Sequence, residues 1–464
     1  MNRFKNKAFW LFAAFAILSN STAVFAQSTN KPLLQDIKVA TPTNTKPVPT
    51  ATPLVTKTGS SNSTNIVARR TSIPALMDVD IPGYSGILVE SPEGNIVLES
   101  NSTLTFNPAS NVKIATAYAV LKTFGPNYRF QTGVWTDGSY DAATGTLYGN
   151  LYVSGRDPMF NLEHGVALSH ELNRMGIRNV TGDLVVTDNF VMNYSASAQK
   201  AVSTLQSSID SSKRSAATMR AWQNYLTNSG KFNQVTTVPS VALAGGVYVQ
   251  SIPTNAKLLF AHESAPMREI VKAVMCYSNN YLAERLGDML GGSYAVAKIV
   301  QTNTGVQPSE FFLATSSGLG INRVSPQAMM KLLRTFQKEL AKNKMNFTDV
   351  MPVAGMDAGT LEGRFDDAFD RGSVVGKTGT LGNTDAGVSA LSGEMNTRRG
   401  KFLFVIFNQR GSVPRFRSFQ NSLVSLIQGQ LGGALPMAYN PISLDVRLAS
   451  TRITYPDARA RISE

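Results

Sequence analysis

The sequence predicts an α/β (α+β) multidomain chain, in which an antiparallel sheet flanked by helices is interrupted by an inserted α+β module. Three observations lead there. Strand-like runs over residues 374–376, 386–395 and 401–408 are spaced as an antiparallel meander and followed by a helical run at 416–431. Helical periods recur at about 108–124, 266–290 and 325–342. Between the first two of these, residues 128–261 change character: short strand-like runs at 129–135, 146–153 and 179–186, and a helix at 162–175, are separated by Gly and Asp. At 464 residues, with 43% apolar and 9% aromatic content, two or three domains with a sizeable core are expected.

The N-terminus reads as an export signal. Arg3, Lys5 and Lys7 precede an apolar run over residues 8–18, and Val24-Phe25-Ala26 precedes a cut before Gln27. That run is short for a bilayer, and no cysteine near the cut offers a lipid anchor. Residues 1–26 are therefore expected to be a cleaved signal peptide, and 27–70, rich in Thr, Pro, Ser, Asn and Lys, a disordered linker. Strands follow at 84–90 and 95–98 around the turn Pro92-Glu93-Gly94. In the helix at 108–124, stopped by Gly125-Pro126, Ile114, Ala117, Tyr118 and Leu121 recur at helical spacing, so much of its surface should be buried. Residues 203–213 are polar and expected to be mobile, with a helix at 217–227. In the stretch 266–290, Ile270, Val271, Val274, Met275, Tyr281, Leu282 and Leu286 form an apolar side, and Ser278-Asn279-Asn280 falls near a break in it. Residues 437–464 read as an irregular tail.

Composition excludes several classes of function. Of the net charge of +13, residues 1–70 carry nine basic side chains and one acidic, so the rest holds only +5 and offers no basic face for nucleic acid. A single cysteine, Cys276, gives no disulfide framework; two residues before Ser278, it reads as a small buried apolar residue rather than a nucleophile. The three histidines, His164, His170 and His262, have no metal-ligand spacing and are expected to be isolated on the surface. No G-x-S-x-G elbow accompanies them, which leaves a Ser-His-Asp triad without support. Gly376-Lys377-Thr378 imitates the end of a phosphate-binding loop, but Arg371 stands where its first glycine is required. No metal and no cofactor is expected.

Three strings remain. In Asn107-Pro108-Ala109-Ser110-Asn111-Val112-Lys113, a serine and a lysine three apart share a helix face in the first turn, where unpaired N–H groups favour developing negative charge. Ser278-Asn279-Asn280 follows Ser110 by 168 residues, and Lys377-Thr378-Gly379-Thr380 follows Ser278 by 99. Each is weak alone. In this order, with the first at a helix start and the third on a strand, they form the set found in penicillin-binding proteins and class A β-lactamases. The chain resembles the low-molecular-mass class C penicillin-binding proteins, the D-alanyl-D-alanine carboxypeptidase/endopeptidase family. Gly155-Arg156-Asp157-Pro158, Thr181-Gly182-Asp183-Leu184, Tyr277–Glu284, Ser317-Gly318-Leu319, Gly359-Thr360-Leu361 and residues 387–393 carry the resemblance beyond the three strings.

The resemblance implies a penicillin-binding-protein/β-lactamase-like serine acyltransferase domain at 71–127 and 262–436, split by an inserted α+β domain at 128–261, with 437–464 as tail. It also implies a periplasmic enzyme without cofactor that acts on peptidoglycan stem peptides and takes β-lactams as covalent inhibitors. Ser110 would be the nucleophile, Lys113 the acylation base, Ser278 the proton relay, Asn280 a substrate-amide and Lys113 ligand, and Lys377 the cation that depresses the Lys113 pKa. Thr378 and Thr380 would bind the terminal carboxylate and the acyl amide, Gly379 and Asp157 would also belong to the substrate-binding set, and the N–H groups of Ser110 and Thr380 would form the oxyanion hole. A β-lactamase and a non-catalytic wall-binding scaffold are the alternatives. The chain departs from the family in three places: Asn279 replaces aspartate, the segment after Thr380 is longer, and Gly320-Ile321 replaces a Ser-Arg pair associated with the far end of the peptide side chain.

Overall fold

The computed structural model describes residues 69–195 and 197–456; the expected signal peptide and all of the linker except Arg69 and Arg70 lie outside them. Those two arginines open strand β1 (Arg69–Thr71), which pairs with β3, so the fold takes in these last two residues of the expected linker. Along the chain follow β2 (Tyr84–Glu90), β3 (Ile96–Ser100), α1 (Val112–Phe124), β4 (Gln131–Thr136), β5 (Ser139–Asp141), β6 (Thr146–Tyr148) and β7 (Leu151–Gly155). Next come α2 (Leu162–Arg174), β8 (Asn179–Val180), β9 (Leu184–Val186), α3 (Ala198–Ile209), α4 (Ala216–Asn228), β10 (Ala242–Leu243), β11 (Val247–Val249) and β12 (Lys257–Glu263). The remainder is α5 (Met267–Tyr277), α6 (Asn280–Asp288), α7 (Ser293–Thr304), β13 (Phe311–Phe312), β14 (Arg323–Val324), α8 (Pro326–Lys342), β15 (Val374–Leu381), β16 (Val388–Thr397), β17 (Gly400–Gln409), α9 (Val413–Gln430), α10 (Leu444–Leu448) and β18 (Arg452–Thr454).

The expected meander forms the main sheet, ordered β1-β3-β2-β17-β16-β15 with antiparallel neighbours, so β15 is an edge strand. Helix α1 sits on this core with Val112 through Leu121 buried without a break, against α5, α6, α7 and α8. Its near-continuous apolar run is what a helix buried all round requires. A second sheet, β11-β9-β7-β4-β12-β18, and a small third one, β10-β8-β6-β5, come mostly from residues 128–261 and share a separate apolar core with α2 and α3.

Three expectations are corrected. Residues 203–213 are not a mobile stretch: most of them belong to α3, whose Ala201, Val202, Leu205 and Ile209 bury a narrow stripe that the surrounding Ser and Thr obscure. The tail is not irregular. It carries α10 and then β18, which pairs with β12 at the edge of the second sheet. His164 and His262 are buried rather than on the surface, with ring centroids 4.9 Å apart. Burial lowers the pKa of both, and His164 Nδ1 accepts from the Asn161 N–H, closing the first turn of α2.

Part of the tail also fastens the helix that leads to Ser278. Lys272 of α5 is fully buried and donates to Asp357 Oδ2 at 2.7 Å and to the carbonyls of Thr348 (2.9 Å) and Met351 (2.6 Å). Tyr439 donates to the other Asp357 oxygen at 2.7 Å while its ring lies 4.9 Å from the Lys272 ammonium. Breaking a buried pair by removing one partner leaves a bare charge. Asp357→Ala is thus expected to cost about 3–5 kcal/mol, read as a fall in the urea midpoint, and Lys272→Met in the same chain should restore much of it.

Candidate active site

The three strings meet. Ser110 lies in a 3₁₀ turn (Ala109–Asn111) immediately before α1, rather than inside a helix starting near residue 108. Asn107 Oδ1 accepts from the Ala109 N–H, and Ala109 takes a left-handed φ of 47°, which turns the chain into the helix. Lys113 Nζ then reaches Ser110 Oγ at 3.1 Å, Asn280 Oδ1 at 2.7 Å and the Ser317 carbonyl at 2.5 Å. Ser278 occupies the break between α5 and α6 in the left-handed region (φ 55°), and Lys377 Nζ donates to its Oγ at 2.9 Å. Asn279 turns away and caps α6 through the Leu282 N–H, so a side-chain acceptor is all that its position uses.

Strand β15 borders this cluster. Gly379 approaches the serine turn so closely that a Cβ there would lie 2.6 Å from the Pro108 carbonyl oxygen. Gly318 likewise adopts a φ of 89°, and a Cβ on it would lie 2.0 Å from the Ala109 carbonyl oxygen. The Gly376 N–H points to the outer edge of β15, where it donates to Pro352 O. Alternate residues of a strand send their N–H groups to the same edge. The N–H groups of Thr378 and Thr380 therefore face outward beside Ser110.

Burial sets the electrostatics. Both lysines are completely shielded from solvent. Desolvation lowers the Lys113 pKa to about 7, with Glu284 acting weakly the other way. Lys377 is driven well below the ordinary lysine range, first by desolvation and then by Lys113. Cys276 is inert: burial pushes its thiol up to about 12.

Sequence reasoning missed two supports. Glu284 accepts from the N–H groups of Ser316 (3.1 Å) and Ser317 (3.0 Å) and thereby aims the Ser317 carbonyl at Lys113. A signal existed, since Glu284 is six residues after Ser278 on the motif helix. Asp385, in the long segment after β15, takes a left-handed φ of 50° and joins Asn107 Nδ2 (2.8 Å) to Arg323 (2.8 and 3.1 Å). Arg323 is therefore committed to Asp385, and the Gly320-Ile321 segment presents exposed Leu319 and Ile321 instead of a cation. Asp157 makes no hydrogen bond to the cluster among the described residues. Its Oδ1 accepts from the Met159 N–H at 2.9 Å, its Oδ2 has no partner, and burial raises its pKa to about 7.

The model of the D-Ala-D-Ala carboxypeptidase 3 (S13) family matches residues 75–201 and 203–430. A D-alanyl-D-alanine carboxypeptidase of Actinomadura sp. (strain R39) is 25% identical over 448 residues, spanning 75% of this chain and 82% of the relative. A carboxypeptidase DacB of Haemophilus influenzae is 31% identical over 180 residues, 35% of this chain and 36% of that one. Among solved structures, a predatory peptidoglycan endopeptidase from Bdellovibrio bacteriovorus superposes with a TM-score of 0.66 at 22% identity, over 81% of this chain and 100% of the other. Penicillin binding protein 4 of Haemophilus influenzae gives 0.56 at 20% identity, over 75% and 96%.

The Lys113 shift has a consequence for stability. Its pKa is about 7 in the folded chain against 10.5 ordinarily, so between those values the unfolded chain binds more protons. Stability should then rise as pH climbs from about 7 toward 10.5. Urea midpoints across that window should show a shallower rise in Lys113→Met than in the natural sequence.

Proposed function

We propose, from the premise that the chain belongs to the D-Ala-D-Ala carboxypeptidase 3 (S13) family, that Ser110 is the nucleophile with which it cleaves peptidoglycan stem peptides. The chain is a serine hydrolase of the carboxypeptidase/endopeptidase class. The observation that carries the residue assignment is Lys113 Nζ, 3.1 Å from Ser110 Oγ, with a pKa of about 7.

In the proposed reaction the peptide lies along the outer edge of β15 beyond Gly376, past the stretch paired with residues 352–354, and extends the sheet. Neutral Lys113 takes the Ser110 proton as Oγ attacks the carbonyl between two D-alanines. The N–H groups of Ser110 and Thr380 receive the oxyanion, a contribution commonly worth about 3 kcal/mol per donor. Ser278, held by Lys377, passes a proton to the departing amine, and the C–N bond breaks to leave an ester on Ser110. Water then hydrolyses that ester. Asn280 fixes Lys113 and faces the substrate amide; Thr378, Gly379 and Thr380 line the strand. Asp157, expected among the substrate-binding residues, is sealed from solvent and bonds only the Met159 N–H, so it takes no part in the proposed peptide-binding set.

A β-lactam presents a strained acyl donor to the same serine, and one structural neighbour is described as penicillin G acylated. Penicillin is accordingly proposed as a covalent inhibitor, and the periplasm as the place of action. No helix among the described residues is long and apolar enough to cross a membrane.

Ser110→Ala is expected to abolish both release of D-alanine from a pentapeptide and the mass increment left by penicillin. Release of D-alanine by Ser110→Ala would sink the assignment, and rapid loss of the penicillin increment from the natural sequence would favour a β-lactamase. Because the base must be neutral, the acylation rate at subsaturating penicillin should rise with pH through about 7. A stopped-flow profile flat from pH 5.5 to 8.5 would remove Lys113 from the role.

A further inference from the structure

The second sheet has two different faces. On β4, Val134 enters the apolar core shared with α2 and α3, so Gln131, Gly133 and Trp135 lie on the opposite face. Register sets three small residues side by side there: Ser154 of β7, Gly133 of β4 and Ala261 of β12. The row on one side holds Trp135 and Leu258, and the row on the other holds Gln131, Glu263 and Arg452. Small residues between tall ones leave a cleft of about 780 Å³, within the range of small-molecule sites. The Trp135 indole lies over Gly133, where a Cβ would fall 2.6 Å from its Nε1. That Nε1 is buried without a hydrogen-bond partner.

The lining is also cationic. Glu263, its one carboxylate, is spent on Arg452 (2.5 Å) and Gln131 (3.3 Å). Arg129 gives Nη1 to two neutral acceptors, the carbonyls of Ser264 and Ser450, each at 2.6 Å. Among the described residues neither Arg129 nor the exposed Arg156 pairs with a carboxylate. Burial, and then repulsion from Arg452, lowers the Arg129 pKa. Asn127, Gln131 and Asn189 add neutral amides.

On the face of a sheet the backbone N–H and C=O groups are used in the ladder, so a peptide strand finds nothing to pair with here. What the cleft offers is an indole, amides and an excess of guanidinium groups. Together these match an acidic saccharide: the apolar face of a sugar ring on the indole, acetamido groups at the amides and carboxylates at the arginines. We propose that the cleft is a second, non-catalytic site for an acidic, N-acylated glycan strand, the polymer from which stem peptides branch. The cleft stands on its own geometry, and the choice of that glycan rests on the peptidase reading above. Asn127 and Tyr128 follow the end of α1 opposite Ser110, about 20 Å away by helical rise. Five extended residues span about 17 Å, so a stem peptide held at Ser110 and the cleft are matched in scale.

The test is calorimetric titration with peptide-free strands of alternating N-acetylglucosamine and N-acetylmuramic acid, whose lactyl carboxylates are ionised, and with neutral chitotetraose. Arg156→Ala, with an unchanged urea midpoint as its folding control, should weaken binding of the acidic strand about tenfold and of chitotetraose by less than about twofold. Trp135→Ala should weaken both about tenfold. Trp135→Phe should keep part of the binding and lose the change in tryptophan emission that the strand causes in the natural sequence. Arg156→Ala should hydrolyse a sugar-free pentapeptide at the natural rate and show a raised KM on the glycan-linked one. No binding by the natural sequence, equal binding by all three variants, or equal competition by inorganic phosphate overturns the proposal. So does binding to phosphatidylglycerol vesicles without binding to the strand. Strand binding by a chain that releases no D-alanine and is not acylated by penicillin removes the peptidase reading and upholds the cleft.

Discussion

Two lysine ammonium groups are buried in one centre with no carboxylate hydrogen-bonded to either among the described residues, and the rest of the structure accommodates that constraint. Lys113 is held by a serine oxygen, an amide oxygen and a backbone carbonyl, and Lys377 by a serine oxygen and the Thr378 carbonyl. Neutral acceptors satisfy the N–H groups without repaying the cost of desolvating the charge, so the proton is held loosely. The comparison is internal to the molecule. Lys272 is buried as completely, but it receives Asp357 at 2.7 Å and ties α5 to the tail. The same residue type at the same depth becomes a fastener or a titrating base according to whether an acid stands beside it.

Keeping acids off the two lysines requires the nearby Glu284 carboxylate to be occupied elsewhere. Glu284 spends both oxygens on the N–H groups of Ser316 and Ser317. Its charge thus shapes the loop that presents a carbonyl to Lys113, instead of pairing with the ammonium. The backbone is shaped to the same end. Left-handed Ser278 ends α5 where its hydroxyl meets Lys377, and the two glycines let the serine turn, β15 and the Ser317 loop approach more closely than any side chain would allow. Each short string is therefore a junction: a change of secondary structure at which backbone direction and side-chain chemistry are fixed together.

That is why the strings could be read from sequence. Serine, lysine, asparagine and glycine at fixed spacing report local geometry, and Ser110, Lys113, Ser278, Asn280 and Lys377 do come together. The meander and the buried α1 were legible because their periods are long and strongly apolar. What escaped depends on distant partners. The stripe of α3 is only four residues wide in a Ser/Thr-rich run. His164 and His262 meet from elements about a hundred residues apart, and β18 gains its strand only by pairing with β12. Glu284 resembled any helical acid until the Ser316–Ser317 backbone folded onto it.

The distribution of charge then separates the two ends of the site. At the serine end, the Lys113 pKa of about 7 leaves that amine partly neutral near neutral pH, which suits a base that must accept a proton. At the far end of β15, Arg417 is exposed, donates to Thr380 Oγ1 and pairs with no carboxylate among the described residues. The site therefore has reason to bury its lysines, because an exposed lysine would hold its proton near neutral pH and a buried one need not.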